Sequence, residues 1–146
     1  MDEARSSGGF LIFAYCILSD HVHILADGAR PPSKVMQYLN GIASRRIIDF
    51  LKTHGHTSSL EKLRHETQRR KYSYSLWDHH PNTFLITSEA KFMEKVNYIH
   101  LNPVEAGLVA HPLDYRWSSA RFWKGVPRQD EPFKVDNDKI VWRQSG

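Results

Sequence analysis

The chain has 146 residues, of which 40% are apolar and four are tryptophan, and its formal net charge is +4. That supports one domain with a modest core and excludes a disordered chain. The longest apolar run, Phe10 to Leu18, is too short to span a bilayer, and the lone Cys16 excludes disulfide and cysteine–zinc frameworks.

Residues 1–9, MDEARSSGG, are polar and rich in Gly and Ser, and read as a flexible leader; their acidic start is no secretory signal, so a cytoplasmic protein is expected. Phe10 to Leu18 reads as a strand. His21 to Ala26 reads as a second strand, or as a continuation past a bend at Ser19-Asp20. Gly28 and the two following prolines make a loop, and Ser33 is a helix cap candidate. From Lys34 to Thr53, Met36, Leu39, Ala43, Ile47, Phe50 and Leu51 recur at helical spacing. Gly41 weakens that helix but would suit close packing against a neighbour. The stretch from Thr53 to Arg70 is polar and basic. Tyr72 to Trp77 and Asn82 to Thr87 are two further strand candidates. Ser88 should cap a helix whose core stripe is Phe92, Val96 and Ile99, and Pro103 should stop it close to Asn102. A short turn over Pro103 to Leu108 leads to Asp114-Tyr115-Arg116-Trp117-Ser118-Ser119, and from Lys124 onward the chain reads as a peripheral tail. The sum is an α+β domain, an antiparallel sheet with helices on one face.

Two features of this layout carry chemistry. Side chains alternate along a strand, so His21 and His23 project together while Val22 and Ile24 face the other way. Two neutral imidazoles on one face make a pair of metal ligands, or else the wet face of a half-buried strand. On the last long helix, Lys91, Glu94, Lys95 and Asn102 fall within about 60° of Tyr98 at 100° per residue, away from the apolar stripe. Tyr98 therefore sits among polar side chains, either as a reactive phenol or as a plain surface aromatic.

The charge is unevenly spread. Lys34 to Lys71 holds nine basic residues against three acidic, a net +6, which leaves −2 for the remainder. A nucleic-acid backbone would be drawn to such a region, although a solvated helix face has the same pattern. Tyr72, Tyr74 and Trp77 are available nearby in sequence for stacking on unpaired bases.

His21-Val22-His23, preceded by Ser19-Asp20, resembles the histidine-hydrophobe-histidine motif of the HUH single-strand endonucleases. The run YIHLNPVEAGLV (Tyr98 to Val109), followed by DYRWSS (Asp114 to Ser119), is similar to the single-tyrosine transposases and most of all to their REP-associated branch. The resemblance covers residues 10–123, with 1–9 as leader and 124–146 as tail. It implies a ferredoxin-like sheet, here without the usual first strand and helix, whose open edge a second subunit could cover to make a homodimer. It implies Tyr98 as the nucleophile and Mg2+ or Mn2+ held by His21, His23 and Asn102, with Lys91 and Lys95 assisting the phenol. The partner would be single-stranded or hairpin DNA, bound by Lys34, Arg45, Arg46, Arg69, Arg70, Lys71, Lys91 and Lys95. The implied reaction is metal-dependent nicking and joining through a 5′-phosphotyrosine. A hairpin-binding module that has lost cleavage, and a small zinc protein using loop histidines such as His54, His56, His65, His79 and His80, are the alternatives.

Overall fold

The apolar run after Gly9 forms strand β1 (Ile12–Ile17), and the histidine segment forms β2 (Val22–Ala26). They pair antiparallel, with Ala14 opposite Leu25 and Cys16 opposite His23, and the register shifts once between Ile12 and Ala14. This computed structural model describes residues 1–64, 74–77 and 81–142. The described residues are α+β: one two-stranded antiparallel sheet and five α-helices, with 3-10 turns at Pro112–Asp114 and Asn137–Lys139. None of their helices is long and apolar enough to cross a membrane.

The chain divides into two compact units, one of Met1–Gly8 with Pro31–Phe84 and one of Gly9–Arg30 with Leu85–Gly146. In the first, α2 (Pro32–Thr53) follows the helical spacing in the sequence, and α3 (Thr57–Leu63) lies in the polar, basic stretch after it. The start of α2 differs from the Ser33 cap: Pro31 holds the cap position and Pro32 the first turn, where a missing N–H costs nothing. The expected flexible leader is instead helix α1 (Asp2–Gly8), which packs on α2 with Ala4 buried. Glu3 supplies the tie, accepting from Arg45 at 3.0 Å and from Arg46 at 2.8 Å. Gly41 has nothing within 4 Å of where a Cβ would stand, so no close approach explains it. Of the later strand candidates, Tyr74 makes a single bridge to Arg64 and Asn82–Thr87 has no regular structure. The expected Asn82–Thr87 strand is thus corrected to coil. Its β-favouring residues meet no partner ladder among the described residues, and a strand exists only when paired.

In the second unit, α4 (Glu89–Glu105) is capped as the sequence indicates: Ser88 Oγ accepts from the Lys91 amide at 3.3 Å. Its inner stripe meets the sheet. Val96 and Ile99 join Ala14, Cys16, Leu18 and Leu25 in one buried cluster, with Phe92 packed against it. The helix does not stop at Asn102 but runs through Pro103. Pro103 is fully buried, which offsets its lost hydrogen bond. The end comes one turn later, where Gly107 adopts φ 70° and the amides of Leu108 and Gly107 bond back to the carbonyls of Pro103 and Val104 at 2.9 Å.

The segment DYRWSS then runs along β1. The Tyr115 hydroxyl donates to the Ile17 carbonyl at 2.7 Å, the Ile17 amide to Trp117 O at 2.8 Å, and the Ser119 amide to Tyr15 O at 3.0 Å. Helix α5 (Ala120–Trp123) follows, with the Trp123 indole donating to Phe13 O at 2.9 Å. Residues after 124 are not all peripheral. Phe133, Val135 and Asp136 are buried, Phe133 lies edge-on to Tyr15, and Asp136 N donates to Ile12 O at 2.8 Å while its carboxylate takes the Ile12 amide. Residues 117–119 and 136 therefore occupy β1's second edge. An edge strand with unpaired backbone groups is an association hazard, and here the chain covers that edge itself.

Candidate functional site

The strand pairing decides what kind of face the histidines occupy. Residues directly opposite in an antiparallel pair share a face. His23 faces Cys16 and Leu25 faces Ala14, so His23 lies on the side of the sheet that carries the buried cluster, at the end next to the turn between the strands. The two histidines differ in exposure, since His21 is open to solvent. His23 is partly buried, and His21, one residue before β2, stands near it with ring centroids 4.9 Å apart and planes at 89°. Burial pulls the His23 imidazole below its ordinary pKa, the neighbouring His21 adds to this, and a side-chain hydrogen bond with the Asn102 amide opposes it. A ring so placed stays neutral near pH 7 and keeps a lone pair. Its Nε2 is buried without a hydrogen-bond partner, an arrangement that is costly unless something else binds there.

Tyr98 comes to this pair from α4. Its ring centroid is 5.5 Å from that of His23, and it is 44% exposed. The Lys95 ammonium sits 5.1 Å over the ring. One turn on, Asn102 Nδ2 donates to the Tyr98 carbonyl at 2.8 Å, which leaves Oδ1 as the amide atom suited to a cation. Lys91 shares the face but is spent on Glu94, at 2.8 Å. The structure thus brings His21, His23, Tyr98, Asn102 and Lys95 together.

The remaining basic positions divide. Lys34, Arg45 and Arg46 all lie on α2; Lys34 reaches Gln37 at 3.2 Å, and the two arginines share the Glu3 carboxylate. Arg69, Arg70 and Lys71 lie outside the described residues, as do Tyr72, His65, His79 and His80. Of the stacking candidates, Tyr74 carries Lys52 Nζ at 5.3 Å over its ring, and the Trp77 indole is tied to Asn40 O at 3.2 Å. Near the end of α2 the exposed Phe50 ring stacks on His54, centroids 4.1 Å apart, and lies near-parallel to His56 at 5.8 Å.

Two sets of residues were not singled out in the sequence. Asp20 Oδ1 stands 2.6 Å from His21 Nδ1, and the contact holds its carboxyl below the usual carboxylate range. Behind Tyr98, on the opposite side of α4, His100 Nε2 meets Ser119 Oγ at 2.8 Å, and Ser119 Oγ accepts the Tyr15 amide at 2.9 Å. These contacts join α4 to β1. The only sequence signal for them is that YIHLNP and DYRWSS carry a histidine and a serine that the fold must bury.

Compared with protein-family models, with curated proteins and with solved structures, the chain matches none.

Proposed function

We propose that the chain is a single-strand DNA nicking and joining enzyme of the HUH single-tyrosine transposase type, with a ferredoxin-like core and Tyr98 as nucleophile. The observation that carries this reading is the meeting of the Tyr98 ring with the His21/His23 pair across two elements distant in sequence. The resemblance requires that meeting, and neither motif alone dictates it.

The residues fit a hard divalent cation. Among the described residues, no three His, Cys, Asp or Glu side chains gather as a metal-holding group, so the donors would be the two imidazoles and the Asn102 amide oxygen. The partnerless, buried His23 Nε2 is the atom a cation would satisfy. Water and phosphate oxygens would complete the shell, as Mg2+ and Mn2+ accept. When bound, such an ion withdraws electron density from the scissile phosphate.

The chain's own groups account for the rest. The Tyr98 phenol oxygen attacks phosphorus, the bond from phosphorus to the 3′-oxygen breaks, and the phenol proton ends on the departing 3′-hydroxyl. The 5′-phosphotyrosine retains the ester, so a second 3′-hydroxyl can reverse the step and join strands. The Lys95 ammonium over the ring favours the developing phenolate and the charge on phosphate. Asn102 fixes itself to the helix carbonyl of Tyr98, coupling amide and nucleophile in one turn.

Single-stranded or hairpin DNA is the substrate form in this reading. Lys34, Arg45 and Arg46 supply cations on α2, and the exposed rings of Phe50 and His54 supply stacking surface. A homodimer made by strand addition would have to use β2, since β1's second edge is covered. The reading also carries a cytoplasmic location.

The test is incubation with a hairpin-bearing single-stranded oligonucleotide and manganese, analysed on denaturing gels and by mass spectrometry. The parent forms a covalent adduct, and Tyr98→Phe, which removes one oxygen and little volume, forms none while folding unchanged. An adduct that persists in Tyr98→Phe sinks the assignment. Tight hairpin binding without an adduct in the parent points instead to a binding module.

A further inference from the structure

Asp20 is a charged group beside the site to which the proposed chemistry gives no work. It precedes His21 at the turn between the strands, where the Leu18 amide bonds back to His21 O at 2.9 Å and holds the turn closed. Its Oδ1 lies 2.6 Å from His21 Nδ1. A carboxylate only accepts, so in this contact the hydrogen is on Nδ1. A neutral imidazole has one N–H, and its lone pair must then be on Nε2. The neighbouring ring also has an Nε2 without a hydrogen-bond partner, and the two rings are 4.9 Å apart. An unassisted histidine distributes its proton between both nitrogens, and in one of those states Nε2 cannot bind a cation at all.

We infer that Asp20 is a positioning residue: it holds His21 in the tautomer protonated at Nδ1, so that His21 Nε2 and His23 Nε2 are both offered as ligands to one divalent cation. The inference rests on reading the histidine pair as a metal site. A carboxylate behind a ligating histidine fixes both the tautomer and the ring orientation, and its loss typically lowers metal affinity about 10- to 100-fold. Asp20 touches neither DNA nor the cation in this role and acts only through His21.

The experiment uses the full chain, labelled with 15N, at pH 8, where histidines of ordinary pKa are neutral. Long-range proton–nitrogen spectra of the metal-free protein read the His21 tautomer directly, and calorimetry with manganese reads affinity. In the parent, His21 is protonated at Nδ1. In Asp20→Ala it shifts toward the other tautomer, and manganese affinity falls about 10- to 100-fold. Asp20→Asn removes the charge and adds an N–H donor that can hold His21 in the opposite tautomer, so it too shifts away from Nδ1–H and loses manganese affinity. His21→Ala serves as the control for loss of the ligand itself.

Three outcomes overturn the inference. One is His21 protonated at Nε2 in the parent. Another is equal manganese affinity in the parent and Asp20→Ala while His21→Ala loses binding, which leaves the metal site standing and removes Asp20 from it. The third is Asp20→Asn as weak as Asp20→Ala with its tautomer intact, which would make bulk charge the cause. A parent that binds no manganese overturns the metal reading together with the inference, and is told apart from the second outcome by the His21→Ala control.

Discussion

His100 gives the most demanding test of the packing behind Tyr98. It is buried on α4, its Nε2 is bonded to Ser119 Oγ, and burial, aided by the Lys124 charge, pushes its pKa down to about 4. The ordinary value is 6.5. Between the two, the unfolded chain takes up a proton that the folded protein refuses, so stability is full above pH 6.5 and declines as pH falls toward 4. The size follows from the shift. Two and a half units at about 1.4 kcal/mol each come to about 3.5 kcal/mol, a large share of a small domain's stability. His100→Gln keeps a polar side chain but has no proton to gain. It should lower stability at pH 7, where the fit to Ser119 is poorer, and remove most of the decline. The assay is urea unfolding from pH 7 to pH 4.5 followed by tryptophan fluorescence, since Trp123 lies 6.5 Å from the His100 ring. Carboxylates titrate in both proteins and cancel in the difference. Parent and variant losing stability in parallel would refute the account, as would an NMR titration that places the His100 pKa above 6.

Two glycines should respond in opposite directions. Gly41→Ala, in the middle of α2 with open space around it, should stabilise by about 1 kcal/mol in chemical denaturation, and a destabilised variant would show a hidden contact. Gly107→Ala forces an L side chain into φ 70° at the end of α4 and should cost about 1 kcal/mol by the same measurement. Replacing Arg45 and Arg46 by alanine should weaken single-strand binding and flatten the slope of log affinity against log salt by about 1.4, the value for two phosphate contacts. An unchanged slope would mean that both arginines stay with Glu3 when DNA binds.

What the sequence determined by itself was the set of features that depend on neighbours along the chain. Alternation put His21 and His23 on one face, Ser88 capped α4, and the Phe92/Val96/Ile99 stripe and the polar face of Tyr98 followed from helical spacing. All are repeats of two or 3.6 residues, readable without knowing the partner. The resemblance joined HVH to YIHLNP, but spacing alone could not bring two segments 75 residues apart into contact.

Tertiary structure decided the rest. It placed His23 on the core side of β2, because the pairing of β1 and β2 turned that face toward α4. It carried α4 past Pro103, because burial and the turn at Gly107 outweighed a local breaking preference. It left Asn82–Thr87 without a ladder, and it drew Phe133 to Asp136 onto β1 although their surroundings are polar in sequence. Asp20 and the His100–Ser119 contact also belong to this class. Hydrogen bonds between side chains have no periodicity, so only the folded chain selects which donor finds which acceptor.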